Sequence, residues 1–110
     1  MSQFLLLIYE EEAPYQTADE ALFNQVMAAH QAFGQKHRDK LRGGEALKET
    51  KTARTVRGDA VTDGPFLETK EVLGGYYVVE ASSMEEAVEI AKECPARFGC
   101  VEVREVMVFN

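Results

Sequence analysis

The sequence predicts an α+β domain of the split βαβ type: an antiparallel sheet with two helices packed on one face. Three observations lead there. Two stretches are strongly apolar without alternation, Phe4 to Tyr9 and Gly75 to Ala81. Each is followed by a segment with capping-box spacing and helical periodicity, and the region between the two strand–helix units reads as strands. At 110 residues with a net charge of −7, the chain is long enough for one core and not for two.

Phe4 to Tyr9 is expected to be a strand covered on both faces. Glu10-Glu11-Glu12 and Pro14 end it. Thr17 and Glu20 have the S/T-x-x-E spacing that opens a helix. Helical spacing continues to about Lys40, with Leu22, Val26, Ala29 and Phe33 on one stripe, and Gly43-Gly44 is read as its stop. Glu45 to Thr50 is a candidate short strand. Ala53 to Arg57 and Ala60 to Asp63 flank Gly58-Asp59 and predict a two-residue hairpin, because glycine supplies the positive φ of so tight a turn. Asp63-Gly64-Pro65 predicts a further turn, its aspartate free to accept backbone N–H bonds. After the strand Gly75 to Ala81, Ser83 and Glu86 repeat the capping-box spacing. Ala87, Ile90, Ala91 and Cys94 then line one face of a second helix, with Pro95 beyond its end. Cys100 to Phe109 is the last predicted strand.

That order fits a ferredoxin-like split βαβ in a single domain spanning 1–110. The outer strands look apolar on both sides, so the sheet face without helices needs a cover. A second copy of the same sheet is the economical one, which predicts a homodimer packed sheet to sheet, a dimeric α/β barrel.

Composition excludes several classes. The acidic balance and scattered basic residues argue against nucleic acid. No run approaches the ~20 apolar residues of a membrane span, and the opening apolar run is too short for a signal peptide. Cys94 and Cys100 form no disulfide framework and read as reduced core thiols of a cytoplasmic protein. No spacing reads as a metal site: His30 and His37 stand ~10 Å apart along one helix. No metal and no cofactor is expected.

The candidate chemistry is spread along the chain. His30 faces the apolar side of the first helix and suits a general base, with an unperturbed pKa of about 6.5. Asp63 is a candidate for orienting it or for holding its own turn. Glu105, a charge in an apolar row, is a candidate acid. Arg54 and Arg57 are candidates for an anionic substrate group. Tyr76 and Tyr77 point to opposite faces, one toward the core and the other free to line a pocket with Phe66.

The chain resembles the YCII-related family, in its branch named for the tetrapeptide that here is Asp63-Gly64-Pro65-Phe66. The likeness runs through Asp63 to Ala81 and includes Phe4 to Tyr9, Gly43 to Leu47 and Val101 to Val106. It implies a ferredoxin-like fold paired as a dimeric α/β barrel. For activity it implies a small organic ligand and lyase, hydrolase or isomerase-type chemistry. It also implies a second reading, a non-catalytic regulator associated with an extracytoplasmic-function sigma factor. The wider family's proposed catalytic pair is a first-helix histidine, matched by His30, and an aspartate near the end of the second helix. That second position reads Cys94-Pro95 here, so half the pair is missing and Asp63 or Glu105 is the candidate replacement.

Overall fold

The computed structural model describes residues 1–110. Its main sheet has four strands: β1 (Ser2–Glu11), β2 (Leu41–Ala46), β5 (Glu71–Ala81) and β6 (Gly99–Glu105), in the order β2-β5-β1-β6. Every pairing in it is antiparallel. With helices α2 (Glu20–Lys36) and α3 (Met84–Ala91) as crossovers, this is the ferredoxin-like split βαβ that the sequence predicts. The strands β3 (Arg54–Arg57) and β4 (Ala60–Asp63) form a separate hairpin between β2 and β5. It turns on Gly58 at φ +59°, as the two-residue loop demands.

Alternation decides which side chains meet the helices. Phe4, Leu6 and Ile8 of β1 are buried, as are Val79 and Ala81 of β5, and Phe33, Ala87, Ile90, Ala91 and Cys94 close over them. The intervening residues Leu5, Leu7, Tyr76 and Val78 turn to the opposite face and are only half-buried. That face, and the protruding hairpin, keep much of the chain exposed. The Cα radius of gyration is 15.4 Å, against ~13 Å for a closely packed chain of this length.

Several elements differ from expectation for identifiable reasons. A short helix, α1 (Ala13–Gln16), follows β1 directly. Pro14 sits in its first turn, where a missing N–H costs nothing. Asp19, not Thr17, caps α2, its carboxylate accepting from the Leu22 N–H at 2.9 Å. The helix ends at Lys36, and Gly43-Gly44 lies within β2 instead of stopping it. A side chain on Gly44 would meet the Tyr76 carbonyl oxygen at 2.6 Å and the Tyr77 ring at 2.9 Å, so glycine is there to let β2 cross those tyrosines. Thr50–Thr52 is a 3-10 turn. Ser83 does cap α3, accepting from the Glu86 N–H at 3.1 Å, while Glu86 accepts from the Ser82 N–H at 3.0 Å and is held below the usual carboxylate range. The strand β6 stops at Glu105, leaving Met107, Val108 and Phe109 exposed. Cys100 is exposed on the open sheet face and is not a core thiol.

Candidate active site

Only Phe33 of α2 is fully buried, and the N-terminal half of the helix stands off the sheet. A cavity of about 520 Å³ opens beneath it, bounded by the end of β1, α1, the segment after β2 and the start of β5. Its apolar wall is Phe23, Val26, Met27, Leu47 and Val72. Carboxylates gather round it: Glu10, Glu11, Glu12 and Glu49, with Lys48 the one lysine or arginine among the lining residues. Three of those carboxylates are engaged elsewhere. Glu11 pairs with Lys70 at 3.3 Å and Glu49 with Lys51 at 3.6 Å. Glu12 accepts from the Thr50 N–H at 2.8 Å and the Thr50 hydroxyl at 2.6 Å, tying the 3-10 turn across the cavity.

His30 lines this cavity from α2. Its Nδ1 lies 2.7 Å from the Tyr77 hydroxyl, which rises from β5 on the helix side of the sheet. Phe33 packs against Tyr77 at 4.9 Å between ring centroids and fixes the pair from below. Burial lowers the His30 pKa from 6.5, the charge of Glu10 acting the other way. Burial raises that of Tyr77, so the phenol keeps its proton. A neutral imidazole with Nδ1 engaged and Nε2 without a protein partner has the form a general base needs.

The lowered pKa links the site to stability. Below about 6.5 the unfolded chain binds a proton here that the native chain refuses. The His30 contribution is therefore complete above pH 6.5 and is lost as pH falls through the lower native value. Urea unfolding midpoints are expected to rise between about pH 5 and 7, with a smaller rise in His30→Gln. An unchanged slope in that variant would place the titration elsewhere.

Glu10 continues the row Phe4, Leu6, Ile8 onto the helix side, where it accepts from the Tyr15 hydroxyl at 2.8 Å and the Phe98 N–H at 3.0 Å. The run of three glutamates disguises it as a strand end; the period-two alternation through Ile8 is the signal that places it.

The other sequence candidates lie apart from His30. Asp63 is exposed on the hairpin and pairs with Arg54 across it at 3.1 Å, so it neither orients His30 nor caps its own turn. The turn is held instead by the Gly64 N–H on the Ala53 carbonyl at 2.7 Å and the Thr55 hydroxyl on the Gly64 carbonyl at 2.9 Å. Glu105 is exposed at the end of β6 opposite Phe4, six residues and ~20 Å along β1 from Glu10. Phe66 lies under the Arg57 guanidinium at 4.8 Å, and Tyr76 sits on the open face opposite Leu7. None of the residues Arg54, Phe66, Tyr76, Asp63 and Glu105 lines the cavity. His37 caps the end of α2 and meets Glu93 at 2.8 Å. No group of three His, Cys, Asp or Glu side chains is arranged to hold a metal ion, and no helix is long and apolar enough to cross a membrane.

The strand order and the cleft beside the sheet define the chain as a ferredoxin-like α+β protein with room for a small molecule. It belongs to the YCII-related family, whose model matches residues 2–110. Over 71 residues it is 37% identical to an uncharacterised protein of Rhizobium meliloti (strain 1021), a stretch that covers 58% of this chain and 57% of that protein. Among solved structures it is similar to 5-chloro-2-hydroxyhydroquinone dehydrochlorinase from Burkholderia phenoliruptrix AC1100, solved in complex with 2,5-dihydroxybenzoquinone. The TM-score is 0.59 at 19% identity, covering 96% of this chain and 93% of that one, a likeness of fold.

Proposed function

We propose that the chain binds a small ring compound in the cavity beneath α2 and moves a proton on it without a cofactor. The observation that carries this reading is the His30 Nδ1 contact to Tyr77 at 2.7 Å in the wall of an open, largely apolar cavity. In the reacting tautomer Nδ1–H donates to the Tyr77 oxygen and the Nε2 lone pair faces the ligand. Nε2 takes the proton from a C–H or O–H bond, and the electron pair stays on the ligand. Return of the proton at another carbon is isomerisation; departure of a leaving group with its electron pair is elimination. The fold shared with a dehydrochlorinase supports the elimination arm. The carboxylates around the cavity favour a neutral ligand over an anionic one. No observation supports association with a sigma factor.

The test is direct. Ligand-detected NMR with hydroquinone, a ring compound neutral at pH 7, as probe is expected to show binding that Met27→Trp, which fills the cavity, removes. A chlorinated hydroxyhydroquinone is expected to lose a proton and chloride, leaving the quinone, at a rate set by His30. Binding that Met27→Trp leaves intact would move the ligand out of this cavity, and turnover indifferent to His30→Gln would end the catalytic reading.

We further propose that the open sheet face is closed by a second copy of the chain. Leu5, Leu7, Tyr76 and Val78 form a half-buried apolar centre on it, and Met107, Val108 and Phe109 lie exposed beyond β6. Sedimentation at micromolar concentration is expected to give twice the chain mass, and Leu7→Asp to give one chain mass. A wild-type monomer would refute the pairing.

A further inference from the structure

The groups packed around His30 come from four parts of the chain. Tyr77 reaches it from β5, Glu10 lies at the end of β1 and Tyr15 on α1. Arg97 lies in the connection between α3 and β6. Across the cavity stand Glu11, Glu12, Lys48 and Glu49, with the carboxylates bound as described above. Of all these, Glu10 is the carboxylate that lines both the cavity and the smaller cleft on the far side of His30, which also holds Pro95 and Arg97.

Glu10, like Glu12, has no cationic partner, but of the two only Glu10 lines the cleft beside His30. It accepts from Tyr15 and from the Phe98 N–H, both neutral donors, and forms no ion pair. Arg97, the one guanidinium nearby, instead donates to the Gln25 side chain at 2.9 Å and lies over the Phe98 ring. The carboxylate is thus oriented by two fixed donors and its charge is left uncompensated beside a histidine. The position at the end of the second helix holds Cys94, a buried thiol pushed up to about 12, which stays neutral and supplies no charge.

We propose that Glu10 is the charge partner of His30: its carboxylate, held in place by Tyr15 and Phe98, stabilises the imidazolium formed when His30 accepts a proton. Glu10 is a positioning residue in this scheme, since it acts through the imidazole and need not touch the ligand. The scheme rests on His30 being the base. It assigns the missing acid of the site to a strand residue, not to the hairpin or to the last strand. The proton balance is simple: one proton passes from ligand to Nε2, Glu10 remains ionised throughout, and Tyr77 keeps its own proton.

The test is a histidine NMR pH titration of the ligand-free protein, which reads the pairing without any turnover. Glu10→Gln keeps a carbonyl oxygen for Tyr15 and Phe98 but removes the charge. It is expected to lower the His30 midpoint by roughly half a pH unit or more, while His37, paired with Glu93 at the far end of α2, stays in place as an internal control. Glu10→Asp, which keeps the charge but draws it back by one methylene, is expected to move the midpoint the same way by less, and serves if the glutamine variant does not fold. A His30 midpoint that neither variant moves overturns the pairing, whether or not the protein is an enzyme. Failure of the base assignment is read separately, as turnover that survives His30→Gln while the Glu10 variants still shift His30.

Discussion

His30→Gln is expected to lower kcat/KM by roughly 10²–10⁴-fold, the usual contribution of a positioned general base, with ligand affinity changed by less than about threefold. Glutamine is a close match in reach and can still hydrogen-bond the Tyr77 hydroxyl that lies 2.7 Å from Nδ1. What it lacks is the lone pair that titrates near neutral pH. A loss of kcat with binding retained therefore reports chemistry, not a collapsed cavity. Because burial lowers the His30 pKa, the wild-type rate is expected to hold through neutral pH and to fall only on the acid side of 6.5. Tyr77→Phe leaves the imidazole but frees Nδ1, and a smaller loss is expected, on the order of tenfold, about one hydrogen bond of ~1.4 kcal/mol. Equal kcat/KM values for wild type and His30→Gln would remove His30 from the reaction.

The largest expected effect on stability is at Gly99. A side chain there would stand 1.8 Å from the Tyr9 carbonyl oxygen and 2.9 Å from the Glu10 Cα, both backbone atoms of the adjacent central strand. Neither can yield like the end of a flexible side chain, so β6 must separate from β1 at its first residue. Gly99→Ala is expected to cost about 3 kcal/mol or more, above the usual range for overpacking because backbone must move. For a chain of this size that is a fall in Tm of roughly 12 °C or more. The same shift would disturb Glu10, whose carboxylate is anchored by the neighbouring Phe98 N–H. Thermal unfolding of Gly99→Ala beside Gly58→Ala is the informative pair, since Gly58 has open space and only its φ of +59° to lose. A Gly99→Ala protein as stable as wild type would contradict the close pairing of β1 and β6.

These residues also show what a single sequence makes legible. The phase of α2 puts His30 on the inner face, and period two puts Tyr77 on the helix side of β5; both follow from local pattern. That the two meet, 47 residues apart, is set by strand order and is written in no local signal. Glycine carries the same ambiguity: Gly43-Gly44 has the look of a helix stop, yet serves a close strand crossing, because one residue type answers both needs. Asp63 was the most conspicuous acid within the turn motif. The two-residue hairpin register sets it opposite Arg54, and an exposed arginine partner accounts for it more simply than a distant histidine does. Glu10 is the reverse case, a functional candidate hidden in a run that looks like ordinary strand punctuation.

The strand order has a consequence for the chain as it is made. The apolar strand β1 emerges early, but its neighbours in the sheet are β5 and β6. β2 likewise finds its only partner in β5. No strand can pair with β1 until residue 71 onward has left the ribosome, which at 5–20 residues per second leaves it unpaired for roughly 3–12 s. In that interval the nascent chain displays an uncharged, β-prone segment of the kind that recruits other chains. The three glutamates directly after it place concentrated negative charge at one end of that segment, where neighbouring nascent chains would repel one another. Translation of β5 is thus the committing event in biogenesis, and slowing synthesis before it is expected to favour aggregation over folding.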